Sequence, residues 1–206
     1  MKSRVFDIVK RIGDVYGSAI LLVIFSPIFA LLVSVSLVFQ GRPVFFVQKR
    51  PGLGGKIFSV YKLRTMVEDE GVNDEASDLS RTTAIGRFLR VSSIDELPQL
   101  VNIFMGHMSF VGPRPLLVEY MPIYTAIQSR RHTVKPGLTG LAQVMGRKEV
   151  SWDQKLELDL KYVDNRSLKL DLWILWRTIV VVLLKRDSVE NVSNLKKPKI
   201  QDLSSN

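Results

Sequence analysis

The longest apolar run in the chain covers 25 uncharged residues, from Val15 to Phe39. About 20 apolar residues suffice to cross the hydrocarbon core of a bilayer, so length alone makes this run a membrane element. Charge argues against a simple crossing. Lys2, Arg4, Lys10 and Arg11 precede it; Arg42, Lys49, Arg50 and Lys56 follow, and no acidic residue comes after it until Glu68. A spanning helix normally keeps its Lys/Arg excess on one side, whereas here both ends favour the cytoplasmic face. Ser26-Pro27 lies mid-run, and proline both removes a helix hydrogen bond and crowds the preceding turn. Each half, about 12 residues at ~1.5 Å rise, reaches ~18 Å, roughly half the core depth. The pattern predicts a re-entrant helix hairpin within residues 1–40, broken at Ser26 and Pro27, with residues 1–14 as an amphipathic lead-in at headgroup level. A kinked spanning helix is the alternative. A cleaved signal peptide fits poorly, because the apolar core is too long and no small-residue cleavage site follows.

Beyond this run the periodicity changes. Val44 to Val47 and Ile57 to Tyr61 flank the turn-rich Pro51-Gly52-Leu53-Gly54-Gly55, which predicts a short β-hairpin. These glycines lack the spacing and following helix of a dinucleotide fingerprint. Residues 68–80 are acidic and polar, the pattern of a surface helix and loop. Thr82 to Arg90 is helical in period, with Ile85, Phe88 and Leu89 on one side. A further helix is expected from about Asp95 to Gly106, carrying Leu97, Leu100, Val101 and Phe104 inward; Pro98 is tolerated only in its first turn. Val111-Gly112-Pro113-Arg114-Pro115 reads as a rigid extended loop, and Pro136-Gly137-Leu138-Thr139-Gly140 as a turn-rich one. Ser151 and Gln154 form a capping box for a helix through about Val163, although Leu156, Leu158 and Leu160 also alternate as a strand would. Leu168 to Leu184, with Trp173 and Trp176 and basic flanks, suits a helix lying on the membrane surface or an ordinary core helix. Residues 187–206 are polar and suit a loose tail. The predicted class is α+β, mostly helical: a membrane hairpin (1–40), a small cytoplasmic domain (41–186) with a β-hairpin and surface-lying amphipathic helices, and the tail.

Composition narrows the partners. A net charge of +9 over 206 residues favours anionic surfaces, whether acidic lipid, phosphorylated substrate or nucleic acid. The membrane segment makes lipid and phosphate the better match, and the Lys/Arg residues form no recognised nucleic-acid motif. With no cysteine there is neither disulfide nor thiolate chemistry, and His107 and His132 are too isolated for a zinc site.

Asp95 and Glu96 are adjacent carboxylates at an expected helix start. An ordinary cap explains such a pair. A helix N-terminus also depresses carboxylate pKa, which would keep an acid ionised as a nucleophile or magnesium ligand. A carboxylate nucleophile, a hard cation and basic side chains suffice for phosphoryl transfer. Lys62, Arg64, Arg90 and Arg114 are the candidate cations, and Arg114 is apt because its planar fork binds phosphate at two points and two prolines hold it.

Tyr61-Lys62-Leu63-Arg64-Thr65-Met66, Ser93-Ile94-Asp95-Glu96-Leu97-Pro98-Gln99-Leu100, Val111-Gly112-Pro113-Arg114-Pro115 and Lys135-Pro136-Gly137-Leu138-Thr139-Gly140 occur in this order. Together, from about Phe6 to Lys185, they resemble the bacterial sugar transferases called monotopic polyprenyl-phosphate phosphoglycosyl transferases, in their minimal form. The resemblance implies a Mg2+-dependent, two-step reaction at the cytoplasmic face of the inner membrane. A UDP-sugar gives its sugar phosphate to an aspartate and releases UMP; polyprenyl phosphate, typically undecaprenyl phosphate, then takes the sugar phosphate and starts a glycoconjugate. By motif position Asp95 is the nucleophile and Glu96 its neighbour in metal binding or proton management. Arg90 orients the carboxylates, Lys62 belongs to the basic site, Arg114 grips phosphate, and Ser26-Pro27 matches the hairpin break. The implied partners are the UDP-sugar, the lipid phosphate and inner-membrane phospholipids, with a homodimer left open. Many relatives carry Trp where Leu141 stands and Asn where Met145 stands, so sugar identity does not follow, although small relatives often take N-acetylated amino sugars. The competing classes are a non-catalytic membrane-bound scaffold of a glycan assembly pathway, with Asp95 a mere cap, a membrane-tethered nucleic-acid binder, and a polytopic transferase using direct attack.

Overall fold

The computed structural model describes residues 2–66, 82–145 and 151–184. The acidic stretch 68–80 and the tail 187–206 lie outside the described residues. Helix α1, Lys2–Gln40, runs for 39 residues with Pro27 inside it, so the lead-in and the apolar run are one element. Pro27 cannot donate to the carbonyl four residues back, which belongs to Val23, and the Ser26 hydroxyl donates to that carbonyl at 2.8 Å. The Ser-Pro pair thus supplies its own replacement bond, and the helical conformation continues through it. Ser18 and Ser34 likewise donate to the Asp14 and Ala30 carbonyls at 2.6 and 3.0 Å.

The lateral surface of α1 is open. Val23, Leu31 and Val38 are 74%, 63% and 76% exposed, and only 6% of its most apolar window is buried. A core helix of a soluble domain would be mostly covered, so this one needs an apolar medium around it.

Both ends of α1 are tied to the globular domain. Near the first end, Arg11 donates to the Ile103 and Phe104 carbonyls at 2.8 Å each, in the last turn of a helix, where carbonyls lack a full set of helical partners. Buried Asp14 accepts from the Ser109 hydroxyl and the Phe110 amide, both at 3.1 Å, and Lys10 pairs with Asp171 at 2.5 Å. At the other end, Arg64 donates to the Gln40 and Gly41 carbonyls.

Strands β1, Phe45–Pro51, and β2, Ile57–Leu63, form the expected antiparallel hairpin, each longer than its apolar run, in register from Phe45↔Leu63 to Pro51↔Ile57. Helix α2, Ala84–Val91, follows; its Leu89 is buried, while Phe88, expected on the same side, is 60% exposed. Helix α3, Gln99–Met105, packs on β2, where fully buried Asn102 donates to the Ser59 carbonyl at 2.7 Å and accepts from the Tyr61 amide at 3.3 Å. Its buried face carries Gln99, Leu100, Asn102 and Ile103, whereas Val101 and Phe104 are exposed, against expectation. The 3-10 turn ahead of α3 has about 3.0 residues per turn, which shifts the phase from that of one continuous α-helix.

The two motif loops are not independent loops. Strands β3, Ser109–Val111, and β4, Gly137–Thr139, pair in parallel. Beyond them Gly112 N–H donates to the Thr139 carbonyl at 2.9 Å and Gly137 N–H to the Pro113 carbonyl at 3.0 Å. A Cβ at Gly112 would sit 2.4 Å from the Lys135 carbonyl oxygen, so only glycine permits this approach. Gly112→Ala is therefore expected to lower unfolding stability by more than about 2 kcal/mol. Gly13→Ala, in α1 with nothing within 4 Å of the added carbon, should be neutral or slightly stabilising. Denaturant unfolding of the two variants side by side checks the contrast.

After the short helices α4, Ala126–Ser129, and α5, Leu141–Met145, come α6, Trp152–Asn165, and α7, Leu168–Leu184. The Ser151/Gln154 capping box opens α6 as expected, so the alternating leucines are helical. Helix α7 packs as a core helix on one side, where Ile174 is wholly buried with Val111, Val134, Val144 and Tyr162, while Leu172 and Trp176 on its other side are exposed.

Candidate active site

Asp95 and Glu96 belong to a 3-10 turn, Ile94–Glu96, and the α-helix proper begins four residues later, at Gln99. Ser93, which precedes the turn, has φ 56 and ψ 18, the left-handed region that a non-glycine residue rarely adopts. Such strain is held in place by its surroundings and concentrates at functional sites. Here it turns the chain sharply from the end of α2 and sets Asp95 into the protein, where it is only 8% exposed.

The expected helix-terminus depression of Asp95 is overturned. Burial first, and the neighbouring Glu96 second, raise its carboxyl to about 6, while Lys62, Arg90 and Arg114 pull the other way. Burial also pushes Glu96 up, but Arg114 and Lys62 outweigh it and hold Glu96 at about 2. Lys62 Nζ and Arg114 both bind the same Glu96 oxygen, Oε1, each at 2.7 Å. Asp95 makes no hydrogen bond or ion pair with any described residue. One carboxylate therefore organises cations, and the other keeps its lone pairs free.

The remaining parts come from separate elements. Lys62 stands on β2, and Arg114 just beyond the β3–β4 ladder. The Arg114 carbonyl is fixed by Arg131 at 2.7 Å, and Arg131 in turn pairs with buried Asp159 at 2.6 Å. Arg90, in the last turn of α2, donates Nε–H to the buried Thr65 hydroxyl at 2.8 Å and forms no ion pair among the described residues. Lys62, Arg90, Asp95, Glu96 and Arg114 all line one cleft of about 1620 Å³, whose walls run onto apolar side chains of α1 (Leu21, Phe25) and α7 (Leu175, Ile179).

The five predicted site residues are thus brought together. Arg64 also borders the cleft, but its guanidinium is spent on the end of α1. Ser26 and Pro27 lie in α1, away from the cleft lining. Leu141 and Met145 do not line it either; Leu141 packs against the buried group around Ile174 and Val144, and Met145 is half-exposed. Thr65, Gln48 and Arg50 border the cleft and were not singled out in advance. For the latter pair the signal was strand alternation, which puts residues 46, 48 and 50 of β1 on the face that carries Lys62.

Among the described residues no group of three or more His, Asp or Glu side chains could hold a metal. Magnesium does not require one: it binds through one or two carboxylates, keeps waters and takes phosphate oxygens. The unpartnered Asp95 carboxylate fits that demand, with Glu96 beside it already engaged at Oε1 by two cations.

The chain belongs to the bacterial sugar transferase family, whose model matches residues 5–185. It is 49% identical over 178 residues to "Uncharacterized sugar transferase EpsL" of Bacillus subtilis (strain 168), covering 86% of this chain and 88% of the relative. It is 38% identical over 197 residues to "Exopolysaccharide production protein ExoY" of Rhizobium meliloti (strain 1021), covering 87% of each. A third relative, "UDP-glucose:undecaprenyl-phosphate glucose-1-phosphate transferase" of Klebsiella pneumoniae, is 38% identical over 182 residues, which are 82% of this chain and 39% of that protein.

Proposed function

We propose that this transferase moves a sugar 1-phosphate from a UDP-sugar to polyprenyl phosphate, in two steps through a phosphosugar on Asp95. The observation that carries this reading is the unpartnered, buried Asp95 beside a Glu96 that gathers Lys62 and Arg114, in a cleft that opens onto the apolar sides of α1 and α7. A charged floor with an apolar wall suits a phosphate on a long hydrocarbon chain. The relatives named for undecaprenyl-phosphate transfer support the same acceptor. Scaffold and nucleic-acid-binding roles leave the gathering of these groups in one cleft without a purpose.

In the first step an Asp95 oxygen attacks the sugar-bearing phosphorus and UMP departs. In the second, the lipid phosphate oxygen attacks the same phosphorus and Asp95 departs. Two anionic substrates that repel one another never meet directly. Arg114 and Lys62, pre-positioned by Glu96, face the phosphate oxygens on which charge builds, and Arg90 steadies the Asp95 side. Magnesium, held by Asp95 with Glu96 adjacent, would add a hard positive charge on the diphosphate. With a pKa of about 6, Asp95 is mostly ionised near neutral pH, yet more basic than an ordinary aspartate, which strengthens it as a nucleophile. Protonation removes the lone pair that attacks. UMP release is therefore expected to fall as pH drops through about 6 at limiting magnesium, and the limb should move lower as magnesium rises, because metal and proton compete for the Asp95 carboxylate; a limb near pH 4 even at limiting magnesium would mean that burial does not raise Asp95. A UMP-release assay with undecaprenyl phosphate and magnesium, across UDP-glucose, UDP-galactose and N-acetylated UDP-sugars, tests the function and finds the sugar; no UMP from any donor would reject it.

The proposal includes a monotopic placement: residues 1–40 dip into the inner membrane and return, and the domain of residues 41–186 stays on the cytoplasmic face. The ties at both ends of α1 support it. A crossing helix holds its ends about 30 Å apart on opposite faces, and the one domain bonded to both ends would have to straddle the hydrocarbon core. Because the chain has no cysteine, Lys2→Cys and Lys49→Cys are clean probes. Both should resist a membrane-impermeant thiol reagent in intact cells, and labelling of one alone would favour a spanning helix. Pro27→Leu restores the N–H that pairs with Val23 and should push the protein toward that spanning form.

A further inference from the structure

We infer that Arg50, seated against Gln48, holds the nucleotide-side phosphate of the donor, the one that leaves. This rests on the proposed two-step transfer. The alternation of β1 puts Gln48 and Arg50 on the face that carries Lys62. A small pocket of about 70 Å³ adjoins the cleft there, lined among others by Gln48, Arg50, Lys62 and Arg114. Arg50 is half-buried and borders both spaces. Its guanidinium donates to Gln48 Oε1 at 2.5 Å, which fixes its direction without neutralising it.

Lys62 and Arg114 both bond to Glu96 and both act on Asp95, whereas Arg50 is bonded to neither acid. Arg50 forms no ion pair among the described residues; Glu119 attracts it only from beyond ion-pair distance. Burial and the nearby Arg114 both disfavour its charge, yet a guanidinium does not give up its proton. A partly buried cation with no ion pair of its own, beside two others whose bonded acid is Glu96, suits an incoming anion.

The order of groups says which anion. Asp95 lines the cleft but not the small pocket, whereas Arg50, Lys62 and Arg114 line both. Arg114, bonded to Glu96 next to Asp95 and also bordering the small pocket, links the nucleophile's side of the cleft to Arg50. A diphosphate laid along that line puts its sugar-bearing phosphorus against Asp95 and its nucleotide phosphate toward Arg50, with Arg114 spanning both. When the Asp95 oxygen bonds to the sugar-bearing phosphorus, the bond from that phosphorus to the bridging oxygen breaks. The bridging oxygen leaves on the nucleoside monophosphate with the electron pair, and Arg50 offsets that charge. No proton need move. The lipid acceptor, which arrives after the monophosphate has gone, makes no use of Arg50.

The test compares wild type with R50Q and R50K, full-length and in lipid nanodiscs. Titrating UMP by calorimetry, R50Q should bind at least about tenfold more weakly, the loss expected for a charge-assisted phosphate contact, and R50K should fall between. In parallel, exchange of labelled polyprenyl phosphate with polyprenyl diphosphosugar, which needs no nucleotide, should keep the wild-type rate in both variants. Wild-type UMP affinity in R50Q would overturn the assignment. So would an exchange rate that falls together with UMP affinity, because Arg50 would then support the whole site. If wild type itself shows neither exchange nor a covalent intermediate, the two-step reading fails, while the UMP comparison still decides the role of Arg50.

Discussion

Asp95→Asn is expected to cut UMP release by about a thousandfold or more and to leave no phosphosugar on the protein, with the fold and membrane association unchanged. The amide lacks the charge and the nucleophilic lone pair, and it would be a poor magnesium ligand, so one substitution removes both proposed roles. Folding should be spared, because the Asp95 carboxylate has no hydrogen-bonded partner among the described residues to strand. Its burial and the negative Glu96 beside it raise its pKa to about 6, so its charge, although predominant at neutral pH, is held at a cost to the folded protein. Removing it should add stability near neutral pH, where a carboxylate with a raised folded pKa costs most. Donor turnover and thermal unfolding measured on the same preparation separate the two effects. Loss of activity with loss of fold would mean that Asp95 is structural.

Glu96→Gln should be nearly as damaging, about a hundredfold in turnover, for a different reason. Glu96 Oε1 receives both Lys62 and Arg114; a neutral amide leaves these cations facing each other without their shared counter-charge, and their aim is lost. The pH profile should carry a second signature. The Glu96 charge is one of the causes that raise Asp95, while Lys62, Arg90 and Arg114 lower it. With Glu96 neutral, Asp95 ionises more readily, and the acid limb of the residual activity should move below pH 6. An unmoved limb at wild-type rate would show that Glu96 does not set the electrostatics of the site.

The residues that the cleft brings together could be named from the chain before folding was considered, some by residue type and neighbourhood and the roles of Lys62 and Arg90 only through the family resemblance. The carboxylate pair and the arginine between prolines are each visible as residue types in restrictive neighbourhoods. The long apolar element was equally legible, since a run of 25 uncharged residues has few soluble uses. What periodicity missed is non-local. The pairing of Gly112 with Thr139 and of Gly137 with Pro113 joins two segments that look like separate loops, and glycine there signals close approach only once its partner is known. The pKa of Asp95 was misjudged in sign, because a helix terminus was inferred where a 3-10 turn buries the group instead. Val101 and Phe104 were assigned inward by a regular period that the turn through Ser93 and Ile94–Glu96 interrupts. The Val23 carbonyl, served by the Ser26 hydroxyl, explains how a proline expected to end a helix sits inside one.

The most direct test is an intact-mass measurement of the wild-type protein after brief incubation with its UDP-sugar and magnesium, without lipid acceptor. A phosphosugar adduct should form with stoichiometric release of UMP, map to the peptide containing Asp95, and vanish on addition of polyprenyl phosphate. An enzyme that turns over with lipid yet never carries the adduct, and whose kinetics require both substrates bound together, would contradict the covalent route and establish direct transfer.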